Sequence, residues 1–324
     1  MENIEPYLEK AKQSLEEKDF KRFIENIVIA KHLTKSYTEY RPEVLYQYAI
    51  GLYKLGDYKG AYEEIEEAIV VQEPEKKYNL IKIKGIILGK LGALEDAVQI
   101  FERLSKLDEY PRIKIGAINN LAWVYVYLFK QKSDSEFLKK AIEKCNSLIT
   151  QFNLFDDNDL RGKVLINLGT VYWYQKNFKE SLDVFNEALK YVKDHPRLFN
   201  NLASVYVQLG ETEKAYEFID KAELIADRTK NYFEKAQSYV ILAELSEYNE
   251  DYLRAIDYYQ VALDHFISVQ APLEIYECFD NILRLQAKIN RESIKLMKEN
   301  FKNKVLNSLG EEIHLKLDFE KEVI

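Results

Sequence analysis

The chain has 324 residues, of which 46 are lysine or arginine and 54 are aspartate or glutamate, so its formal net charge is −8. This charge disfavours nucleic-acid binding, which usually needs a basic surface. A content of 47% hydrophobic and 31% charged residues is typical of globular proteins and excludes a wholly disordered chain.

The cysteines and the apolar stretches indicate the compartment. Cys145 and Cys278 lie far apart in the sequence, which excludes a disulfide framework and a CxxC motif. The first residues, MENIEPYLEK, lack the basic and apolar regions of a secretion signal, and no later stretch approaches the roughly 18 apolar residues of a membrane span. We therefore predict a cytoplasmic protein without a membrane segment.

The chain contains only 11 glycines and 6 prolines, which favours helices over a many-turned β fold or a glycine-rich nucleotide-binding fold. Each proline stands where we predict that a helix begins. Proline is tolerated there because backbone N–H groups of the first helical turn have no partner within the helix, so the N–H that proline lacks is not missed. The six are Pro6, Pro42, Pro74, Pro111, Pro196 and Pro272. Their intervals of 36, 32, 37, 85 and 76 residues predict a repeat, since the last two are about twice the first three.

Between the prolines, one order of residues recurs: a small residue beside large ones, an aromatic residue or leucine, a turn, and then an aromatic residue followed by small ones. The second repeat shows it as LYQYAIGLYKLGDYKGAYEEIEEAI. Each repeat is therefore predicted to be a helix–turn–helix hairpin, in which small residues let the two helices approach closely. The small positions of successive first helices include Ala49, Gly85, Ala122, Gly169 and Ala203.

These features resemble the tetratricopeptide repeat (TPR) family over about residues 4–270. The resemblance implies an all-α, right-handed superhelix of about seven hairpins, with the superhelix at residues 1–271 and C-terminal capping helices at residues 272–324 of the same solenoid. Equivalent second-helix positions are 38, 36, 44, 40, 34 and 40 residues apart, mostly more than the usual 34. We expect the extra residues to lengthen second helices or loops; the form of an insertion around KSDSEF in the fourth repeat stays open.

Catalytic and metal-binding motifs are absent from the sequence, which lacks GxxxxGK[ST], GxSxG and HExxH. Asp156, Asp157 and Asp159 lie close together, but the glycine and terminal glutamate of an EF-hand are missing. We therefore predict a non-enzymatic protein with no catalytic residue, metal ligand or cofactor. A metal-dependent or hydrolytic enzyme is the less favoured alternative.

In TPR proteins the first helix of each hairpin lines a concave groove, and residues beside the small position point into it. At that register, repeats four to six carry Asn120, Asn167 and Asn201, although asparagine is a weak helix former. One hypothesis is that these amides hydrogen-bond the backbone of an extended peptide, because a carboxamide is both donor and acceptor. The alternative is that they bond neighbouring helices.

Aromatic and basic residues share this face. Trp123 and Trp173 lie on equivalent faces of repeats four and five. Tryptophan is common in binding hot spots, whereas packing in the core is the alternative. Lys163 and Arg197 are candidates to pair with a peptide carboxylate, and solvated surface is the alternative. The complete set of predicted ligand-binding residues is Asn120, Trp123, Lys163, Asn167, Trp173, Tyr174, Arg197, Asn201 and Gln208.

The long repeats, the NNLA segments and the high content of Tyr, Lys and Glu also resemble the peptide-sensing TPR regulators of Gram-positive bacteria, the Rap, NprR and PlcR group. That resemblance implies capture of a short signalling peptide. Two features differ from that group: the first repeat begins near Tyr7, which leaves no room for the N-terminal helix-turn-helix domain of NprR- and PlcR-like members, and we expect the N-terminal helical bundle of Rap-like members to be absent or reduced. The first repeat also departs from the lysine–asparagine clamp of chaperone-binding TPR domains, since its matching face offers Tyr7, Leu8 and Ala11.

The predicted partner is a protein or a short peptide. Two other functions remain open: a scaffold that uses its convex face or its C-terminal helices, for instance as a homodimer, and a regulator that controls a partner enzyme or transcription factor. The lysines of residues 295–304 form a local basic stripe, which is usually a solvated face.

Overall fold

The computed structural model describes residues 3–17, 19–55, 57–152, 157–290, 297–301 and 303–304. Within these ranges the chain is helical and contains no strand. Successive helices pack in pairs, which confirms the predicted all-α repeat fold. The backbone divides into two compact units, residues 1–124 and 125–324, while the predicted boundary at residue 271 remains a prediction. None of the described helices is both long and apolar enough to cross a membrane.

The first unit contains three helical pairs, a short 3-10 helix and the beginning of a further helix. Its α-helices are α1 (Glu5–Glu16), α2 (Phe20–Leu33), α3 (Arg41–Leu55), α4 (Tyr58–Val71), α5 (Pro74–Lys90), α6 (Leu94–Leu104) and residues 111–124 of α7 (Pro111–Lys132). The 3-10 helix is Thr38–Tyr40. Buried apolar side chains of consecutive pairs form its core, which includes Phe23, Ile27, Leu45 and Ile65.

The second unit continues the same pattern from residue 125 onwards. It contains residues 125–132 of α7, then α8 (Glu136–Ile149), α9 (Asn158–Tyr174), α10 (Phe178–Ala188), α11 (Pro196–Gln208), α12 (Thr212–Thr229), α13 (Tyr232–Tyr248), α14 (Tyr252–Ser268) and α15 (Pro272–Ile289). Three buried clusters run through these helices, around Phe185, Ile219 and Phe266. Each cluster joins neighbouring pairs, as the predicted repeat requires.

Helix starts follow the rules that the sequence suggested. All six prolines lie at the first or second position of a helix, in α1, α3, α5, α7, α11 and α15. Several other helices begin after an aspartate or asparagine, such as Asp157, whose carboxylate accepts a hydrogen bond from the Leu160 backbone N–H at 2.9 Å. Such a cap satisfies one of the unpaired N–H groups of the first turn. Asp157 is therefore a capping residue, while Asp156 lies outside the described residues.

The small residues of the repeat lie where two helices of a pair approach most closely. Ala49, Ala122 and Ala203 are fully buried. A Cβ atom on Gly169 of α9 would lie 2.4 Å from a ring carbon of Phe185 in α10, and Phe185 is itself fully buried. A side chain therefore does not fit at Gly169 unless the pair moves apart.

The extra residues of the fourth repeat lengthen its first helix. Helix α7 has 22 residues, against 17 in α9 and 13 in α11, and only residues 133–135 separate it from α8. The form of this insertion, which the sequence leaves open, is a longer first helix. The reason is that residues 126–132 contain no helix breaker, so the helix continues to Ser133, whose φ is 55°.

The predicted helix after Pro272 is confirmed as α15, which packs on α14. Phe301, in a helical stretch, stacks on Phe279 of α15 with ring centroids 3.5 Å apart. Phe301 thus belongs to the apolar cluster of the last described helices, while the capping role of residues 272–324 remains a prediction. The predicted tail HLKLDFEKEVI and most of the segment before it lie outside the described residues.

We predict that Gly169→Ala lowers the free energy of unfolding by about 1–3 kcal/mol, because overpacking pushes Phe185 away from α9. Gly116→Ala is the matched control, since its Cβ would meet only the Lys82 side chain, at 3.4 Å. It should leave stability unchanged or raise it by about 0.5–1 kcal/mol, as alanine favours helix. Urea unfolding followed by circular dichroism measures both. Equal effects of the two variants would contradict the close approach of α9 and α10.

Candidate functional site

The second unit encloses a cavity of about 500 Å³. Most of its walls come from the first helices of successive pairs, which lie side by side: α7, α9, α11 and α13, together with α15. Rings contribute an aromatic part of the wall, while carboxylates, amides and hydroxyls contribute a polar part. A cavity of this size accommodates a side chain or a short stretch of peptide.

Four of the predicted ligand-binding residues line this cavity: Trp173, Tyr174, Arg197 and Asn201. Asn167 lies behind them, because its Oδ1 accepts a hydrogen bond of 3.0 Å from Arg197 Nη2, and it is buried. The structure therefore brings together five predicted residues from α9 and α11.

Two further predicted residues of the second unit lie away from the cavity lining. Lys163 is exposed near the beginning of α9 and pairs with Asp159, one helical turn away. Gln208 is exposed at the last position of α11. Their predicted roles in binding remain untested.

Asn120 and Trp123 belong to the first unit. Trp123 packs against the backbone of Gly89 in α5, where a Cβ atom would lie 2.7 Å from the indole ring. The Lys90 ammonium lies 6.0 Å from the centre of the same ring. Asn120 is half-buried on the same helix. Within its own unit, Trp123 thus has packing contacts, and its predicted role in binding remains a prediction.

Asparagine amides of α9 and α11 also bond neighbouring helices. Asn201 Nδ2 donates to Thr170 Oγ1 at 3.0 Å, which links α11 to α9. The adjacent Asn200 is buried; its Nδ2 donates to the Glu234 carbonyl at 2.9 Å, and its Oδ1 accepts from Ser238 Oγ at 2.8 Å. Asn200 therefore ties α11 to α13, whereas Asn201 lies at the cavity surface.

Sequence reasoning missed the residues that α7 and α15 contribute. Tyr127 Oη donates a hydrogen bond of 2.8 Å to Glu274 Oε1, and Lys130 Nζ lies 2.8 Å from Glu277 Oε2. These partners are 147 residues apart in sequence. The extra length of repeat four was the available signal for Lys130, which lies on the added turn of α7. Tyr127 lies five residues after Ala122, the position that Tyr174 takes after Gly169, so the repeat register was the signal for Tyr127.

Burial and neighbouring charges shift the pKa values of these groups. Burial is the largest single influence on Lys130 and lowers its pKa, but Glu277, Tyr174, Tyr127 and Glu274 together outweigh burial and raise that pKa well above its usual value. Burial also raises the pKa of Tyr127 strongly and that of Tyr174 to about 12, with help from nearby carboxylates. Lys130 is therefore charged and both phenols are neutral at pH 7.

Two buried polar atoms of residues that line the cavity have no hydrogen-bond partner among the described residues. They are Trp173 Nε1, a donor, and Glu244 Oε2, an acceptor. Burial raises the pKa of Glu244 to about 7, and the neighbouring Glu247 and Glu277 add to this, while Lys130 opposes it. Buried polar atoms in folded proteins are nearly always bonded, so a donor and an acceptor without partners in the wall of one cavity call for an explanation.

The described residues contain no group of three or more His, Cys, Asp or Glu side chains that could hold a metal ion. Both cysteines are buried, and burial raises the pKa of the Cys145 thiol to about 12 and that of Cys278 still further. Thiols with such pKa values are poor nucleophiles.

Models of the tetratricopeptide repeat match residues 162–195 and 194–268, which include the α9, α11 and α13 walls of the cavity. Residues 162–268 thus carry tetratricopeptide repeats, which form a class of protein–protein interaction modules, and the all-helical paired fold of the described residues agrees with this.

Two curated relatives carry the same repeat. The tetratricopeptide repeat-containing protein trd-1 of Caenorhabditis elegans is 24% identical over 53% of this chain, and a TPR repeat-containing protein of Methanocaldococcus jannaschii is 25% identical over 66% of it. The chain spans only 26% and 38% of the lengths of these relatives.

Solved structures show the same fold at low sequence identity. A tetratricopeptide repeat protein from Parabacteroides merdae is 15% identical with a TM-score of 0.54, covering 92% of this chain and 98% of that one. A Rap protein, solved in complex with competence and sporulation factor, is 14% identical with a TM-score of 0.60, covering 85% and 79%. A chain of the APC/C hetero-tetramer Cut9–Hcn1 is 16% identical with a TM-score of 0.59, covering 98% of this chain and 55% of that one.

We predict that Glu244→Gln stabilises the protein more at pH 8 than at pH 5. The folded-state pKa of about 7 lies above the usual 4.5, so the unfolded chain releases this proton first. Wild-type stability therefore falls as the pH rises from about 4.5 to 7, and the variant avoids that loss, by about 1–3 kcal/mol at pH 8 relative to pH 5. Urea unfolding at both pH values, with the exposed Glu213→Gln as control, tests this. A pH-independent difference would contradict a buried, ionisable Glu244.

We also predict that Lys130 and Glu277 stabilise the second unit as a pair. A double-mutant cycle with Lys130→Met and Glu277→Gln should give a coupling free energy of about 1 kcal/mol at low salt. The exposed Lys163–Asp159 pair, treated in the same way, should give about 0.3–0.5 kcal/mol, as helical surface pairs do. Urea unfolding measures both cycles. Coupling no greater in the first pair than in the second would contradict the prediction, because the partly buried pair would then stabilise the protein no more than an exposed pair does.

Proposed function

We propose that the chain is a non-enzymatic binding protein, and that the cavity of the second unit takes up an extended peptide segment. The observation that carries this proposal is that an unpartnered donor, Trp173 Nε1, and an unpartnered acceptor, Glu244 Oε2, belong to residues lining one cavity. Each residue of a peptide backbone can bond both atoms, because its carbonyl oxygen accepts a hydrogen bond and its N–H group donates one.

The side chains around these atoms suit a peptide. Tyr174 packs edge-to-face against Trp173 and Phe129, with ring centroids 4.9 and 5.6 Å away, so the rings hold one another in place. Rigid rings lose little entropy when they bind, which is why they act as anchors. Asn201 and Arg197 lie at the same cavity and present polar groups toward a ligand backbone.

The comparisons support this proposal through analogy. The repeat belongs to a class of interaction modules, and the Rap protein with the same fold was solved with a bound factor. The sequence also resembles the Rap, NprR and PlcR group, which implies peptide sensing. We propose a cytoplasmic protein that senses a peptide, free or as a segment of a partner; a scaffold that binds through other surfaces, including a homodimer, is the alternative that the experiment below separates.

Selection of displayed random heptapeptides on the wild-type protein, followed by titration calorimetry with the enriched peptide, tests the proposal. Trp173→Phe and Asn201→Ala should each weaken binding about tenfold or more, because each removes a polar group at the cavity. Lys163→Ala and Gln208→Ala, at predicted positions away from the cavity, are the matched controls and should change binding less than about twofold.

Urea unfolding of the four variants shows whether each still folds. Failure to enrich any peptide, or equal binding by Asn201→Ala and wild type, would overturn the proposed site. A loss confined to Lys163→Ala or Gln208→Ala would overturn it as well, since these residues lie away from the cavity.

A further inference from the structure

The cavity of the second unit is acidic. Its lining includes five carboxylates and only two cationic side chains. The carboxylates are Glu234, Glu244, Glu274, Glu277 and Asp280, and the cations are Lys130 and Arg197. An anionic ligand group would therefore enter against net repulsion, whereas a cation would be attracted.

Most of this charge already has a partner, but the buried oxygen of Glu244 has none. Glu277 pairs with Lys130, Glu274 accepts from Tyr127, and Glu234 Oε2 accepts from Asn200 Nδ2 at 3.2 Å. Asp280 is exposed. No hydrogen bond to Glu244 Oε2 is made by any residue that the structure describes.

The surroundings of Glu244 are mainly negative or neutral. On its own helix Glu247 lies near, and Glu247 is itself bonded to Arg284 Nη2 and Tyr259 Oη at 2.8 and 2.9 Å. The charged and titratable groups that face Glu244 from α7, α9, α14 and α15 are Lys130, Tyr174, Tyr259, Glu277 and Cys278. Lys130 is the one cation among these groups, and it is paired with Glu277.

The aromatic wall suits the rest of a cationic side chain. Tyr174, which feels the field of Glu244, is flanked by Trp173 and Phe129. An alkyl chain packs well on such rings, and an ammonium group is attracted to their faces. Acid and aromatic groups thus meet at one place in the cavity.

We propose that this cavity binds an alkylammonium group, supplied by a lysine side chain or by the amino terminus of the bound segment, and that Glu244 is its counter-ion. The proposal builds on the proposed function and names the chemistry that the peptide must carry. It differs from the prediction that Arg197 pairs with a ligand carboxylate, because the net negative charge of the cavity lining disfavours an anionic group.

The test uses Trp173 as the reporter. In a Trp123→Phe background, Trp173 is the remaining tryptophan of the chain, so its emission reports on the cavity. The probes are n-butylammonium chloride, n-butanol as the neutral probe of similar size, and sodium chloride at the same ionic strength. We expect butylammonium to shift the emission with a saturable curve and the other two to leave it unchanged.

The pH dependence gives a reading that needs no substitution of Glu244. The fraction of ionised Glu244 should rise about tenfold between pH 6 and pH 8 around a pKa of about 7. The affinity for butylammonium should rise by about the same factor, since a cation binds the ionised carboxylate. Binding that is unchanged by pH would overturn the proposal.

Glu244→Gln should weaken butylammonium binding at pH 8 by about tenfold or more and remove its pH dependence. Glu223→Gln is the matched control: its Oε1 is also buried without a partner among the described residues, but Glu223 lies on α12, away from the cavity lining. It should bind as the parent does. Equal binding by Glu244→Gln and the parent would overturn the proposal.

Acetylated peptides distinguish a lysine side chain from the amino terminus as the source of the ammonium group. They also distinguish the proposed peptide binding from the proposed cation site. The enriched heptapeptide is compared with versions acetylated at lysine, at the amino terminus, or at both. A loss of about tenfold on one acetylation names the source. If the doubly acetylated peptide binds as well as the original, peptide binding stands and the cation site is overturned. If butylammonium binds but no peptide does, the cation site stands and the peptide proposal fails.

Discussion

The close approach of the two helices in each pair is the constraint on which the rest of the structure depends. It requires a small residue where the helices meet, as at Gly169 against Phe185 and at the buried Ala203. Once the pairs are this tight, each stacks on the next, and the first helices line up side by side. Side chains from α9, α11 and α13 therefore face one cavity, although each helix supplies only a few of its lining residues.

This constraint explains which parts of the molecule could be predicted from sequence. The small residues and the prolines gave the repeat, because both report on one hairpin at a time. Trp173, Tyr174 and Asn201 were also found, since their distance from Gly169 or Ala203 on the same helix decides which way they face. Lys163 has the right face but lies about 15 Å along α9 from Trp173, at 1.5 Å per residue, so it lies beyond the end of the cavity.

Contacts between distant repeats could not be read from a pattern that describes single hairpins. Tyr127 meets Glu274 and Lys130 meets Glu277 only because the stack brings residues 147 positions apart together. The partners of the asparagines have the same origin: Asn167 bonds Arg197 from the next pair, which turns a predicted ligand group into a support for the cavity wall. The insertion in repeat four was visible, but its meaning depended on α15, which the repeat pattern does not include.

The charge of the cavity follows from these distant contributions, and it links stability to binding. Glu244 and Glu277 come from α13 and α15, the last helices in sequence to line the cavity. Burial raises the pKa of Glu244, and repulsion from Glu247 and Glu277 raises it further. Holding an ionised, unpartnered carboxylate there destabilises the free protein. A bound cation would give the Glu244 carboxylate a partner. The free energy that burial of the charge costs the unliganded protein would then add to the free energy of binding. The group that weakens the unliganded fold is, for that reason, the group that gives the cavity its preference for a cation.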